Sequence, residues 1–406
     1  MRTSRIRPGF FDEFTFDKLE RFSPRELETA GRLTEPLYAG PGDKGYRVIT
    51  WDDALSRLAA TMRSARAAPD DTFFYFSGRS SNEAGFLLQV FARLFGTNNV
   101  NNCSYFCHQA SGVALTSMLG TGTATVTLED VEHADFVMLL GANPASNHPR
   151  LMRSLMAVVR RGGQVVAVNP IREVGLVNFK VPSDVRSLLL GSRVSTEYVQ
   201  PHIGGDLAFM YGVAKSLLER GAVDESFLAA HTEQWPKLRD AAARADWTDL
   251  VGRSGVTREQ MEHVAGLYAR AKTAVFCWTM GMTHHAHGVD NVRMIANLAL
   301  MRGMVGRPGA GLLPLRGHSN VQGIGSMGAT PALREQVLVA LRDRFGIAAP
   351  PGKGMDTLAC IERAAEGRVR LAWHLGGNLF GSAPDATVAR AALRKIGTTV
   401  FLSTSL

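Results

Sequence analysis

The chain has 406 residues, of which 45% are hydrophobic and 20% are charged. This composition is that of an ordinary globular protein, and the length allows two domains. No apolar run is long enough to cross a bilayer, and the basic start of the chain lacks the apolar segment of a secretory signal. Four cysteines are too few for a disulfide framework in a chain of this length. We therefore expect a cytoplasmic protein without a membrane partner.

The formal net charge of +8 raises the question of a nucleic-acid partner. The arginines are scattered along helices, as at Arg150, Arg153, Arg160 and Arg161, and are not interleaved with aromatic residues. A solvated basic surface is therefore favoured over a nucleic-acid groove, and we expect no nucleic-acid partner. A third interpretation is that the positive charge attracts an anionic cofactor or substrate.

Residues 1–48 are predicted to form a peripheral segment with a helix over residues 11–32. An amphipathic helix begins at Trp51, and from there a short apolar strand, a small or polar turn and a helix recur. Residues 208–271 are predicted to be helical. The predicted strands span residues 72–76, 135–140, 164–168, 273–278, 369–375 and 398–402.

Apolar strands that alternate with helices indicate parallel sheets covered on both faces. We therefore predict an α/β fold class with two doubly wound, mostly parallel-sheet domains. One domain is expected to be discontinuous, with residues 49–103 and 321–406, and the other to contain residues 104–320. In such sheets, ligands bind outside the carboxyl ends of the strands.

The stretch of residues 96–112, GTNNVNNCSYFCHQASG, contains two of the four cysteines and is predicted to be a turn region. Cys103 and Cys107 are too few for a four-thiolate iron–sulfur cluster or a structural zinc site. His108 directly follows Cys107, and a thiolate there could bind a soft metal or act as a nucleophile. A buried structural cysteine is the alternative for each, and we accept it for the remaining two, Cys277 and Cys360.

Other strand-end turns carry weaker signals. No GxGxxG motif follows a predicted strand, so a simple NAD-binding domain is not indicated. Asn169 ends a strand where a residue binding a ribose hydroxyl commonly lies. His284, His285 and His287 invite a metal site, but no two of them share a helical face, so we disfavour it. Arg316 lies in a glycine-flanked turn suited to binding a carboxylate or phosphate, with a surface arginine as the alternative.

Six ordered blocks together resemble the molybdopterin oxidoreductase family, the group that contains formate dehydrogenases and dimethyl-sulfoxide reductases. The closest likeness is to the central domains of the formate-dehydrogenase-like alpha (molybdopterin) subunits. It covers nearly everything from Leu37 to Leu406. The blocks are GTNNVNNCSYFCHQASG, LEDVEHADFVMLLGANPASNHP, VVAVNP, AVFCWTMGMTHHAHGVDNVR, RGMVGRPGAGLLPLRGHSNVQGIGSMGA and LGGNLFGSAPD.

The resemblance implies catalytic roles for three residues. Cys107 matches the cysteine or selenocysteine that ligates molybdenum. His108 matches the adjacent histidine proposed to relay the substrate proton. Arg316 matches the arginine that holds the formate carboxylate near the metal.

The resemblance also implies a molybdenum bis-molybdopterin-guanine-dinucleotide cofactor whose two arms lie against strand-end turns. His284 replaces a different polar residue of the better-known formate enzymes. The turns expected to hold one arm carry Asn143, Ser146, Asn147, Asn169, Pro170, Gly204 and Asp206. The turns expected to line the other arm or the metal carry Met280, Gly281, His284, Gly317, Gly376 and Asn378.

The implied function is the two-electron oxidation of formate or a similar small molecule, with an electron-transfer partner. The family usually begins with a segment that binds a [4Fe–4S] cluster and ends with a β-barrel domain. We expect neither here, because no cluster ligands precede Cys103 and the chain stops after a predicted strand. Two alternatives remain: a truncated, inactive chain that only binds the pterin dinucleotide or a partner, and a basic nucleotide-binding α/β protein.

Overall fold

The computed structural model describes residues 4–181 and 184–406. The first three residues of the predicted peripheral segment lie outside the described residues. The chain divides into two compact units, the first with Met1–Phe106 and His318–Leu406 and the second with Cys107–Gly317. The chain thus passes between the units at Phe106–Cys107 and at Gly317–His318.

The strands are short and are distributed over the whole chain. In chain order they are β1 (Leu37–Tyr38), β2 (Arg47–Val48), β3 (Thr72–Phe76), β4 (Val100–Asn102), β5 (Phe136–Leu140), β6 (Gln164–Val168), β7 (Asn178–Phe179), β8 (Ser192–Arg193), β9 (Glu197–Val199), β10 (Ala274–Trp278), β11 (Gly311–Pro314), β12 (Leu371–Leu375) and β13 (Thr398–Leu402).

Helices occupy most of the remaining chain, with a 3-10 turn at Pro69–Asp71. In the first half they are α1 (Phe10–Glu13), α2 (Phe16–Leu19), α3 (Pro24–Ala30), α4 (Trp51–Ala65), α5 (Asn82–Phe95), α6 (Tyr105–Leu119), α7 (Leu128–His133), α8 (Pro144–Asn147), α9 (Leu151–Arg160), α10 (Val174–Val177) and α11 (Val185–Leu190). In the second half they are α12 (Asp206–Glu219), α13 (Glu225–His231), α14 (Trp235–Arg244), α15 (Trp247–Ser254), α16 (Arg258–Arg270), α17 (Met280–Thr283), α18 (Gly288–Leu300), α19 (Val321–Ser326), α20 (Glu335–Phe345), α21 (Thr357–Ala365), α22 (Leu379–Ser382) and α23 (Ala386–Leu393).

Each unit is built on one parallel sheet. The first unit has the strand order β13-β12-β3-β4, and the second has the order β11-β10-β5-β6-β9. All neighbours in both sheets pair in parallel, whereas the two-strand ribbons β1–β2 and β7–β8 are antiparallel. The predicted α/β fold class with parallel sheets is therefore confirmed.

Both faces of the second unit's sheet are buried. Phe136, Met138 and Leu140 of β5 lie in one apolar cluster, and Val137 and Leu139 lie in a second cluster on the opposite face. Helices α12, α16 and α18 contribute to the first cluster, and α9 contributes to the second. Because both faces of β5 pack against helices, its sequence is an unbroken apolar run without polar alternation.

The single helix predicted over residues 11–32 is wrong. The structure has three short helices there, because Thr15 and Ser23 have extended backbone angles that interrupt it. Ser23 and Glu26 form a capping box at the start of α3, with Pro24 in the first helical position.

The turn region predicted over residues 96–112 is also wrong in large part. Val100–Asn102 forms β4, which pairs with β3, and α6 begins at Tyr105. The asparagines of β4 use their amides to satisfy backbone groups of other segments. Asn101 Nδ2 donates to the carbonyl of Met355 at 3.0 Å, and Asn102 Nδ2 donates to that of Ala329 at 2.7 Å. Residues that are typical of turns are buried in a strand here because their side chains cap distant loops.

Among the described residues, no helix combines the length and the apolar character needed to cross a membrane.

Candidate functional site

The carboxyl ends of the five parallel strands in the second unit meet at one edge of its sheet. This edge brings together most of the site residues predicted from the sequence. Arg316 and Gly317 follow β11, Met280, Gly281 and His284 follow β10, Asn143, Ser146 and Asn147 follow β5, Asn169 and Pro170 follow β6, and Gly204 and Asp206 follow β9.

Gly376 and Asn378 lie in the first unit, after β12, and form a turn like the one after β5 in the second unit. Gly141 and Gly376 have positive φ angles of 56° and 61°, which glycine adopts without strain. Asn143 and Asn378 follow, and each accepts a hydrogen bond from a backbone N–H of a short helix, α8 or α22. Both asparagines therefore act as N-caps in addition to any role toward a ligand.

Several residues predicted to lie in turns belong to helices. Ser146 and Asn147 are within α8, Met280 and Gly281 begin α17, and Asp206 begins α12. The sequence showed small and polar residues after the strands but not that three of these connections start with helical turns.

Cys107 lies in α6, at a break in that helix. His108 has non-helical angles, φ −130° and ψ 22°, which kink α6 at this point. The Cys107 carbonyl accepts a hydrogen bond from Thr283 Oγ1 at 2.8 Å. The half-buried Cys107 Sγ lies 3.5 Å from Met280 Sδ. Helix α17 therefore contacts Cys107 through both its backbone and its sulfur.

His108 is buried, with 1% of its surface exposed. Its Nε2 is 2.8 Å from the Leu315 carbonyl oxygen, and its Nδ1 is 2.9 Å from Ser111 Oγ. Burial lowers the pKa of His108 to about 4, with a further contribution from the positive charge of Arg316. The ring is therefore neutral at physiological pH.

The turns after β5 and β10 are in direct backbone contact. The Gly281 N–H donates to the Gly141 carbonyl at 3.1 Å. A Cβ on Gly281 would lie 2.5 Å from Gly141 Cα, and a Cβ on Gly141 would lie 2.7 Å from Gly281. Neither position admits a side chain, and this close approach sets where α17 begins.

The histidines after α17 lie close to Asp206. The His285 and His287 rings stack with centroids 5.3 Å apart, and His285 Nε2 is 2.8 Å from the Gly281 carbonyl oxygen. Burial raises the pKa of Asp206, and the two histidines partly oppose that rise. Within residues 4–181 and 184–406, no group of three or more His, Cys, Asp or Glu side chains is arranged to hold a metal ion.

The remaining cysteines lie in apolar surroundings. Cys103 belongs to the first unit, where its Sγ is 3.0 Å from His318 Nδ1 and accepts the Gly78 N–H at 3.2 Å. Cys277 and Cys360 are buried in the two sheet cores, and burial raises the pKa of both thiols. Of the four cysteines, Cys107 is the one that is not fully buried.

Three residues around Cys107 and His108 were not predicted from the sequence. Ser111 contacts His108, Trp278 contacts Ser111, and Thr283 contacts the Cys107 carbonyl. Ser111 lies three positions after His108, a spacing that places two side chains on one face of a helix. This spacing could have predicted the contact from the sequence. Trp278 and Thr283 are distant in sequence and meet α6 only through the packing of β10 and α17.

Comparison with known proteins shows the family of this chain. The sequence model of the family described as molybdopterin oxidoreductase matches residues 32–404. This chain belongs to the molybdopterin oxidoreductase family. The resemblance drawn from the six sequence blocks is therefore confirmed.

Relatives of this family member come from bacteria and archaea. The uncharacterized oxidoreductase Rv2900c of Mycobacterium tuberculosis is 40% identical over 99% of this chain and 52% of its own length. Protein YdeP of Escherichia coli is 37% identical over 99% of this chain and 54% of its own length. The F420-dependent formate dehydrogenase subunit alpha of Methanocaldococcus jannaschii is 27% identical over 91% of this chain and 53% of its own length. The chain thus spans about half the length of the curated relatives it matches.

A solved structure shares the fold. Acetylene hydratase from Pelobacter acetylenicus superimposes with a TM-score of 0.70, over 94% of this chain and 55% of that chain, at 16% sequence identity. Because the sequence identity is only 16%, this similarity shows a shared fold alone.

Family membership implies a molybdenum–pterin cofactor, and the residues present fit such a group. Cys107 offers a half-buried thiol, a soft ligand suited to a soft metal. His287 Nε2 is buried and has no hydrogen-bond partner within the part of the chain that the structure describes. The ring of His287 lies close to Gly204, with Cε1 3.8 Å from the position of a Cβ there. A buried nitrogen without a partner is suited to a hydrogen bond with a ligand.

Proposed function

We propose that this chain is part of a molybdenum-dependent oxidoreductase that oxidises formate or a similar small molecule, with Cys107 bound to the metal. The observation that carries this proposal is the Cys107 thiol, which is half-buried at a helix break and lies 3.5 Å from a second sulfur, Met280 Sδ. A thiolate is a suitable ligand for a soft metal. The similarity to a formate dehydrogenase subunit supports formate as the substrate class.

We infer that the cofactor is the bis-guanine-dinucleotide form. Two parallel sheets, each with a glycine and an N-cap asparagine after a strand, support two similar binding turns. The second unit also has a polar cavity of about 440 Å³, lined by Arg172, Arg193 and Gln200 among others. Guanidinium groups suit phosphate and the carbonyl of a purine base.

The side chains of the candidate site would contribute only part of the reaction. Formate loses two electrons and one proton and leaves as carbon dioxide. When bound, the cofactor supplies the two-electron acceptor. Arg316 would orient the formate carboxylate through paired N–H donors, and the net charge of +8 would attract the anion. The electrons would then pass to a redox partner, and the relay role of His108 stays a prediction of the resemblance.

Metal analysis of the purified protein tests the proposal. Protein produced in medium with molybdate is expected to contain about one molybdenum per chain, and Cys107→Ser is expected to lose most of it. Cys277→Ser, a change at a buried core thiol, is the matched control and should keep the metal. A wild-type protein that is folded but free of molybdenum would instead support a chain that is inactive on its own.

A further inference from the structure

A cavity of about 430 Å³ lies in the first unit, between α20 and the loop that follows this helix. Its volume is within the range of pockets that hold small molecules, about 300–1,000 Å³. Most of the wall is apolar and includes Leu333, Leu338, Ile347 and Pro351. A wall of this kind favours a ligand with an apolar body, because contact with the wall removes apolar surface from water.

A buried network holds the loop of this cavity in place. The Asn98 amide nitrogen donates to the carbonyls of Pro350 and Gly352, both at 2.8 Å. The Asn98 amide oxygen accepts a hydrogen bond from Arg93 Nη1 at 2.8 Å. Arg93 is 1% exposed and Asn98 is 8% exposed, so water competes little for these bonds. The loop is therefore ordered before a ligand arrives, which lowers the entropic cost of binding.

The charged side chains that line the cavity are cations. Arg342 of α20 and Lys353 of the loop both line it, and none of the Asp and Glu residues that the structure describes does so. Asp343 lies outside the lining and accepts a hydrogen bond from Arg342 Nε at 2.8 Å, so it offsets part of the Arg342 charge. The lining therefore keeps a positive charge that is complementary to an anionic group.

The cavity lies away from the turn that follows β12 in the same unit. Asn98 precedes β4, whereas Gly376 and Asn378 follow β12. Because β12, β3 and β4 pair in parallel, the start of β4 and the end of β12 lie at opposite edges of the sheet. The cavity is therefore separate from the turn at Gly376 and Asn378, and its use does not depend on the proposed function.

We propose that this cavity binds a small organic anion with an apolar body. The apolar body lies against Leu338, Ile347 and Pro351, and the anionic group faces Arg342 and Lys353. The apolar wall and the two cations each contribute to affinity. Binding at this site requires neither molybdenum nor a redox reaction.

A matched pair of small molecules tests the role of the charge. Phenylbutyrate carries a carboxylate on an aromatic and aliphatic body, and phenylbutanol has nearly the same body without the charge. Saturation-transfer NMR titrations of both are made with the full chain. We expect phenylbutyrate to bind with a dissociation constant of about 1 mM or lower, and about fivefold or more tightly than phenylbutanol. Equal affinity for the two molecules, or no binding of phenylbutyrate, would overturn the proposal.

Charge-reversal variants test whether the anion binds in this cavity. Lys353→Glu changes the loop and leaves α20 unaltered, and Arg342→Glu changes the helix. Each is expected to weaken phenylbutyrate binding about fivefold or more and to leave phenylbutanol binding unchanged. Arg344→Glu is the matched control, because this exposed arginine belongs to α20 but does not line the cavity. Unchanged phenylbutyrate affinity in Lys353→Glu and Arg342→Glu, or an equal loss in the control, would contradict binding at this site.

Discussion

Two side chains contact the backbone at the central residues of the site. Thr283 binds the carbonyl of Cys107, and His108 binds the carbonyl just before Arg316. The sequence alone predicted the Cys107 thiol and the Arg316 guanidinium as site groups. The contact of Thr283 with Cys107 was found only from the structure.

Replacement of Arg316 tests its role toward the carboxylate. Arg316→Lys keeps the charge but loses the paired donors, so kcat/KM for formate is expected to fall about tenfold or more, or ~1.4 kcal/mol. The measurement is formate-dependent reduction of a viologen dye by molybdenum-loaded protein. Arg253→Lys, at an arginine whose side chain is 73% exposed, is the control and should leave the kinetics unchanged. Unchanged formate kinetics in Arg316→Lys would show that this arginine does not bind the substrate.

His374 of β12 is expected to make stability depend on pH. Its ring is buried, stacks on Phe401 with centroids 4.8 Å apart, and has no hydrogen-bond partner for either nitrogen within the described chain. Burial lowers its pKa to about 4 in the folded protein, below the ordinary histidine value of about 6.5. As the pH falls below about 6.5, the unfolded chain therefore binds this proton first, and stability decreases down to about pH 4.

The variant His374→Phe keeps the stacked ring and removes the titrating group. We expect its unfolding free energy to vary less between pH 6.5 and 4 than that of the wild type, by up to about 1.4 kcal/mol per pH unit. Urea unfolding at several pH values measures this. His231→Phe, at an exposed histidine of α13, should keep the wild-type slope. The same slope in His374→Phe would show that His374 does not titrate with unfolding.

At the scale of elements, the strand-end turns decide where the site residues lie. The sequence predicted the central strands because β3, β5, β6 and β10 are unbroken apolar runs, a pattern set by burial of both faces. It missed β9, which has only three residues, and β11, which has four. It also placed a turn at Val100–Asn102, because the use of asparagine amides as caps for distant loops cannot be seen in a local pattern.

The contact between the turns after β5 and β10 is expected to tolerate no side chain. In Gly281→Ala the new Cβ would lie 2.5 Å from the backbone of Gly141, so the turns must separate. We expect a loss of about 1–3 kcal/mol in unfolding free energy and a lower molybdenum content. Gly252→Ala is the matched control, because that glycine lies exposed within α15 with nothing within 4 Å of its Cβ position. The unfolding free energy of Gly252→Ala should rise by about 0.5–1 kcal/mol. A comparable rise in Gly281→Ala would contradict the structure.

At the scale of the whole molecule, the fold class followed from the sequence and the detailed site did not. Alternating apolar strands and helices are sufficient to predict parallel sheets and the edge where ligands bind. Parallel sheets bring together strands that are far apart in sequence, as β11, β10 and β5 are. Contacts such as Trp278 with Ser111 depend on this pairing and have no local signature.

The distribution of basic residues over the whole molecule is expected to be unsuited to nucleic-acid binding. Many arginines lie beside carboxylates, as in the pairs Arg57–Asp53 at 3.0 Å and Arg258–Glu262 at 2.7 Å. Such pairs divide the surface into small areas of mixed sign. We therefore expect little binding of a fluorescent oligonucleotide by anisotropy, even at low salt. Tight binding that weakens steeply with added salt would instead favour a nucleic-acid-binding protein.

The central claim, that Cys107 holds the molybdenum of a bound pterin cofactor, is tested most directly by X-ray absorption at the molybdenum edge. Wild-type protein and Cys107→Ala are compared after production with molybdate, with Cys277→Ala as the control. We expect the wild type and the control to share the same sulfur shell and Cys107→Ala to lose about one sulfur neighbour, or the metal itself. An unchanged sulfur shell and metal content in Cys107→Ala would contradict the account.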